Sequence, residues 1–372
     1  MTSRRVILMY ISEVSGHHRA TSAVEKALKI LEPKTEVLNL NGFNYTNPLS
    51  EKIINRLYMS VIRSAPRIWD YLYDNPVVAR KIARIKDSVH KFNSPKLKKL
   101  FDGFKPDVVA CSQAFPCGMC ADYKKASGSH IKLVGMLTDY IPHSYWIYDT
   151  VDYYVTPSED ISRHLINRGV PPQKVKAFGI PFDPVFTAPL DRRAAKRKLG
   201  LDPDDPVILI MGGGHGIGPI RTIVHSLERS RYFLQELVVT GVNVKLYNAL
   251  KRGIKRRRQR VLLFQYTENI HEMMKAADII VTKPGGVTTA EVLAQSLPMI
   301  IIKPLPGQET HNASYLTQKG AAISVDTPAQ MHLVIDDLLD NPHKIQSLCD
   351  GTRHLSKPEA GFDIARLLLE LP

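Results

Sequence analysis

Short runs of nearly unbroken valine, isoleucine and leucine alternate with helix-length segments from one end of this chain to the other. A strand that is apolar on both faces needs helices above and below it. The alternation therefore restricts the fold to βαβ units wound around parallel sheets, an α/β class. The runs Arg5–Ile11, Thr35–Leu40, Asp107–Ser112, Lys132–Thr138, Asp152–Thr156 and Lys176–Gly179 are the expected strands of a first series. Pro206–Met211, Leu237–Thr240, Val261–Gln265, Ile279–Thr282, Met299–Ile302 and Ala322–Val325 form a second, with helices such as Arg19–Leu31 and Val287–Gln295 between strands. Pro181, Pro184 and Pro189 interrupt the pattern before a charged helix opens at Asp191. The expected division is thus a Rossmann-like domain over residues 1–186 and a second over 187–358, facing one another across a cleft at their strand C-termini.

Length and composition agree with two cores. The chain has 372 residues, 44% of them hydrophobic, which excludes disordered, collagen-like and disulfide-scaffold classes. Its four cysteines follow no regular spacing, as expected of a reducing compartment. No apolar run approaches the ~20 residues of a membrane-spanning helix. Met1–Arg5 leads straight into the first strand with no room for a signal peptide, so a cytoplasmic protein is expected.

Charge is the unusual feature. The chain carries a net +14, and residues 50–105 hold 13 basic against 5 acidic residues. Aromatic and aliphatic groups, Tyr58, Trp69 and Tyr71 among them, are interleaved with those cations. That mixture suits an anionic membrane face, with Trp69, Lys96, Lys98 and Lys99 as contact residues. It also suits nucleic acid, or an ordinary solvated helix face. A second cluster, Lys251–Arg260, holds seven basic residues in ten and reads as a solvated turn.

Six loops that follow strands collect the unusual residues. Ser12–Ala20 contains Gly16, which permits close backbone approach, and His17, an imidazole able to take a proton near neutral pH. Gly212, Gly213, Gly214, Gly216 and Gly218 lie within seven residues between a strand and a helix, a spacing that lets amides wrap a phosphate at a helix N-terminus. Neither a Gly-Lys-Ser/Thr nor a G-x-G-x-x-G window occurs there, which disfavours P-loop and NAD readings. Lys283–Glu291 is a second glycine turn: Gly285 and Gly286, the hydroxyls of Thr288 and Thr289, then Glu291, an acceptor suited to a ribose diol. Gln308, Glu309 and Asn312 group in one loop as a sugar reader. Asp139, just after Lys132–Thr138, is a second possible base, and His143 and Trp146 beyond it are expected on the acceptor or membrane side. Cys117-Gly118-Met119-Cys120 lacks the partners of a zinc site and reads as buried small residues. Two phosphate-binding loops, a diol acceptor and a polyol reader together describe a nucleotide sugar.

In this order the loops resemble the monogalactosyldiacylglycerol synthase and processive diacylglycerol glucosyltransferase group, glycosyltransferase family 28. The resemblance rests on Ser15-Gly16-His17, Leu137-Thr138-Asp139 with His143 and Trp146, Pro157-Ser158-Glu159 and Gly179-Ile180-Pro181. It continues through Met211–Gly214 with Gly216 and Gly218, Thr282–Gly286 with Glu291, and Pro306–Glu309 with Asn312. In the family's first loop a glycine stands where this chain has Val14. The resemblance implies a GT-B fold, an inverting transfer without an essential metal or other cofactor, and a UDP-hexose donor held by the C-terminal domain. It further implies a lipid acceptor approached through the N-terminal domain, and a last helix near Gly361–Leu371 crossing back to that domain. The base is His17 or Asp139. The rival readings are a UDP-sugar 2-epimerase and a basic nucleic-acid-binding protein.

Overall fold

The computed structural model describes residues 3–46, 95–141, 146–254, 257–305 and 307–372. They form two compact units. The first comprises the described residues within 1–184, 305–308 and 357–372, and the second those within 185–304 and 309–356.

Strands β1 (Arg5–Tyr10), β2 (Glu36–Asn41), β3 (Val108–Cys111), β4 (Lys132–Met136), β5 (Tyr153–Val155) and β6 (Val175–Lys176) form the first unit's sheet, ordered β2-β1-β3-β4-β5-β6 and parallel throughout. Val6, Leu8, Val108, Ala110 and Val134 point to one buried face, and Ile7, Met9, Val109, Cys111 and Leu133 to the other. The helix Gly16–Leu31 covers the first face with Val24, Ala27 and Leu28, and the helix Ala360–Glu370 packs beside it through Ile364, Ala365 and Leu368. The helix Ala114–Ser127 lies on the second face, where Cys117 and Cys120 are buried beside Cys111. Burial, together with contacts from Cys117 and Cys120, pushes the Cys111 thiol well above its ordinary value, so it packs as a small apolar group.

β6 is shorter than the expected Lys176–Gly179. Gly179 adopts φ 103°, where a Cβ would be pressed into the Lys357 side chain, and the chain turns there instead of extending.

The second unit's sheet contains β7 (Val207–Met211), β8 (Gln235–Val239), β9 (Arg260–Phe264), β10 (Ile279–Thr282), β11 (Met299–Ile302) and β12 (Ala322–Val325), ordered β12-β11-β10-β7-β8-β9. The chain steps outward from β7 to β9, then returns to the other side of β7 for β10 to β12. The switch point lies between β7 and β10, where ligands of open parallel sheets bind beyond the strand C-termini. In the first unit the same reversal falls between β1 and β3.

The Lys251–Arg260 cluster is more than a solvated turn. Arg257 donates to the Val224 carbonyl and pairs with Glu228 at 3.2 Å, while Arg258 donates to the Ser230 carbonyl at 2.9 Å. These arginines fasten the turn to the helix Ile220–Leu227 and the segment after it.

Candidate active site

At the first unit's switch point the chain leaves β1 through Ser12, at φ 68°, and enters the helix Gly16–Leu31. Ser15 caps that helix by accepting from the His18 amide at 3.2 Å, and its hydroxyl donates back to Ser12 O at 2.6 Å. His17 is thereby fixed at the helix entrance. Its Nδ1 lies 2.9 Å from the Ser112 carbonyl oxygen beyond β3 and 3.1 Å from Thr138 Oγ1 beyond β4. Three strand ends converge on one imidazole. A carbonyl oxygen can only accept, so the Ser112 contact is a hydrogen bond only when Nδ1 carries the proton. Burial lowers the pKa of His17 below its ordinary value, and the Ser112 carbonyl opposes this only in part. Such a ring is neutral at physiological pH. Asp139, the other candidate, directly follows Thr138 and is half-buried.

In the second unit both glycine turns flank the β7/β10 switch point. The loop after β7 folds on itself through Ile217 N–H to Gly212 O and Gly216 N–H to Gly213 O, each 3.0 Å. Gly213 and Gly216 take φ 66° and 57°, and Gly218 takes 126°. A Cβ on Gly216 would overlap the Thr240 carbonyl, so the loop is seated on the segment after β8. Gly214 is exposed and its carbonyl accepts from Val242 N–H at 2.9 Å. The helix Ile220–Leu227 follows without a side-chain cap on its first amides. After β10, Gly285 heads the helix Gly286–Ala294, again with no side-chain cap. Two helix N-termini with uncapped amides at adjacent strand ends form a region of positive potential suited to a phosphate group. Thr288 is half-buried there. Thr289 is fully buried, and its hydroxyl finds no hydrogen-bond partner among the described residues. Glu291 sits in the second turn, 1% exposed.

The expected sugar readers divide. Gln308 begins the helix Gln308–Gln318 and is half-buried. Glu309 pairs with Lys283, Nζ to Oε1 at 2.5 Å. Asn312 is buried and donates to the Pro284 carbonyl at 2.9 Å, which fixes the turn before Gly285 and makes its amide a loop buttress. Trp146, expected on the acceptor side, is 5% exposed in the first unit's core, with its ring over Gly135 of β4. His143, Trp69 and all of residues 50–94 lie outside the described residues. Lys96, Lys98 and Lys99 are exposed on a helix over residues 95–104, opposite the buried Leu97, Leu100 and Phe101. Lys98 pairs with Asp102 at 2.6 Å.

Ser112, Thr138 and Lys283 were not singled out individually by sequence reasoning. Thr138 adjoins Asp139 and Lys283 opens the second glycine turn, whereas only the folded chain brings Ser112 within reach of His17. Among the described residues no group of three His, Cys, Asp or Glu side chains is arranged to hold a metal ion, and no helix is long and apolar enough to cross a membrane.

Comparison with known proteins agrees with this geometry. The family model for monogalactosyldiacylglycerol (MGDG) synthase matches residues 17–182, and that for the glycosyltransferase family 28 C-terminal domain matches residues 207–358. A processive diacylglycerol beta-glucosyltransferase of Bacillus cytotoxicus is 28% identical over 371 residues, 98% of this chain and 93% of that protein. In fold the chain is similar to MurG of Acinetobacter baumannii, with a TM-score of 0.67, 17% identity, and 99% and 100% of the two chains covered. It is also similar to the UDP-GlcNAc 2-epimerase of Neisseria meningitidis bound to UDP-GlcNAc, with a TM-score of 0.61, 15% identity, and 98% and 100% covered. The fold is that of the GT-B glycosyltransferases. Two family models that together span most of both units, and a relative matched nearly end to end, lead to one assignment: the chain joins an MGDG synthase domain to a glycosyltransferase family 28 C-terminal domain and is a glycosyltransferase.

Proposed function

We propose that the protein transfers a hexose from a UDP-sugar to a diacylglycerol-type lipid acceptor, with inversion, at an anionic membrane surface. The observation that carries the donor half is the pair of uncapped helix N-termini, Ile220 and Gly286, beside the β7/β10 switch point. In this reading the acceptor hydroxyl attacks the anomeric carbon while UDP departs. Negative charge grows on the diphosphate and is met by the amides of Gly212–Gly218 and Gly286–Thr289, a preorganised electrostatic contribution. His17, neutral and with Nε2 unprotonated, takes the hydroxyl proton, and Asp139 is the alternative base. Glu291 accepts from the ribose diol, and Gln308 contacts the sugar. The UDP-sugar is a co-substrate, and no resident metal or other cofactor is called for, so turnover is expected to persist in excess chelator.

The acceptor half draws on the curated relative, whose name specifies diacylglycerol and glucose. The cationic face of the helix over residues 95–104 supports peripheral attachment to anionic lipid, with nucleic acid not expected as a partner. The deciding experiment is mass spectrometry of lipids after incubation with UDP-sugars and diacylglycerol vesicles. A new hexosyl lipid supports the reading. Epimerised or hydrolysed donor at the same rate without lipid overturns it.

A further inference from the structure

His17 is held by more than its place on a helix. The Ser112 hydroxyl donates to the main-chain carbonyl of His17 at 3.0 Å, while the Ser112 carbonyl oxygen lies 2.9 Å from Nδ1 of the same residue. One buried residue thus grips both the backbone and the ring of His17. Ser112 is itself anchored, its amide donating to Met9 O at 3.0 Å in the neighbouring strand. Thr138, also buried, brings a second oxygen to 3.1 Å from Nδ1. Two oxygens therefore face one ring nitrogen, and the carbonyl cannot donate.

We propose that Ser112 is a positioning residue whose main-chain carbonyl locks His17 in the Nδ1–H tautomer, the Thr138 hydroxyl being able to donate or accept in either form. In the other neutral tautomer a bare Nδ1 would face the Ser112 carbonyl lone pairs, and Nε2 would carry the proton and be useless as a base. The arrangement leaves Nε2 unprotonated and fixes its direction, because the ring cannot rotate without losing the Ser112 contact. A hydroxyl seated against Nε2 then finds a proton acceptor that needs no rearrangement. The inference rests on the transfer reading for its use of Nε2, but the lock is a property of this chain alone.

Nitrogen-15 NMR of the full chain with labelled histidine tests it, the His17 signals being assigned by their loss in His17→Gln. The expected result is a protonated Nδ1 and an unprotonated Nε2 in the neutral ring. Thr138→Val, nearly the same shape without the oxygen, removes a hydroxyl that could donate to a bare Nδ1 and leaves the Ser112 carbonyl in place, so it is expected to keep the Nδ1–H form. A wild-type spectrum with Nε2 protonated overturns the lock whether or not any variant folds. A folded Thr138→Val that shifts to the Nε2–H form would assign the tautomer to Thr138 and overturn the role of the Ser112 carbonyl. A chain that shows the Nδ1–H form yet transfers no sugar keeps the lock and refutes the transfer reading instead.

Discussion

The ammonium of Lys283 lies 2.5 Å from the carboxylate of Glu309, and its Cε is the atom a Cβ on Gly213 would meet, at 3.0 Å. One ion pair thus ties the turn after β10 to the helix Gln308–Gln318 and roofs the loop after β7. The two side chains are only 21% and 12% exposed, so removing either partner strands a poorly solvated charge. Lys283→Met and Glu309→Gln are each expected to cost roughly 1–3 kcal/mol in urea unfolding. The double variant is expected to cost less than the sum, a coupling that a double-mutant cycle reads directly. Additive losses would show that the pair does not act as a unit.

Gly216 and Gly285 stand in the two glycine turns and make opposite demands. Gly216 has φ 57° and is pressed against the Thr240 carbonyl, whereas Gly285 has φ −67° and open space where a Cβ would stand. Gly216→Ala must adopt a left-handed conformation and also displace a main-chain oxygen. The expected loss is at least the ~1–2 kcal/mol of the conformational term, together with loss of any UDP-induced rise in melting temperature. Gly285→Ala is expected to leave the unligated melting temperature nearly unchanged. Thermal unfolding of both variants, with and without UDP, compares them.

The difference between those glycines also marks what the sequence could tell. A glycine cluster between strand and helix is visible in the chain, and so are strands such as Ile208–Ile210 or Ile300–Ile302, whose unbroken apolar runs admit only a buried parallel sheet. Which glycine needs its conformation depends on Thr240, a residue from another loop. The same holds for His17, since its chief partner is a main-chain carbonyl 95 residues away, and a carbonyl leaves no mark in a sequence. Polar side chains near a ligand loop were equally ambiguous. Asn312 and Glu309 are sugar-reading candidates in the sequence, and the fold adds that Asn312 supports the Pro284 turn and Glu309 pairs with Lys283. Amide and carboxylate groups serve either purpose, and only geometry separates the two.

Glu236, on β8, is 0% exposed, and neither carboxylate oxygen has a hydrogen-bond partner among the described residues. Burial, only partly offset by Arg257, raises its pKa from 4.5 to about 8. A carboxyl whose folded value exceeds its unfolded value keeps its proton in the folded state while the unfolded chain loses it. Stability therefore falls as pH rises from 4.5 to about 8 and the contribution is flat beyond. At 1.36 kcal/mol per unit the full span is roughly 4–5 kcal/mol. Glu236→Gln is expected to be more stable than wild type above pH 8 and to lose that advantage by pH 4.5, as read from urea unfolding at several pH values. Equal pH slopes in the two proteins would contradict this assignment.

If His17 is the base, the pH dependence of kcat/KM reports its ionisation. Burial lowers its pKa below the ordinary 6.5, so activity is expected to persist below pH 6.5 before the ring protonates. His17→Ala is expected to lose about 10²–10⁴ in turnover while its melting temperature stays near wild type. Asp139→Asn with full activity would leave His17 as the base. Collapse of activity in Asp139→Asn with little effect of His17→Ala would reverse the roles.

Membrane attachment is the last expectation with a clean charge test. Lys96, Lys98 and Lys99 share the exposed side of the helix over residues 95–104, and Leu97, Leu100 and Phe101 fix its other side in the core, so charge can be changed without disturbing packing. A cation close to an anionic bilayer contributes ~1 kcal/mol. Lys98 already spends part of its field on Asp102 at 2.6 Å, so Lys99→Glu is expected to weaken vesicle binding more than Lys98→Glu. Reversing all three should lower the partition coefficient on phosphatidylglycerol vesicles by about two orders of magnitude or more, and the loss should shrink as salt screens the attraction. Binding to neutral vesicles should hardly change. Sedimentation with both vesicle types measures this, and equal binding of wild type and the triple variant to anionic vesicles would place the attachment on another surface.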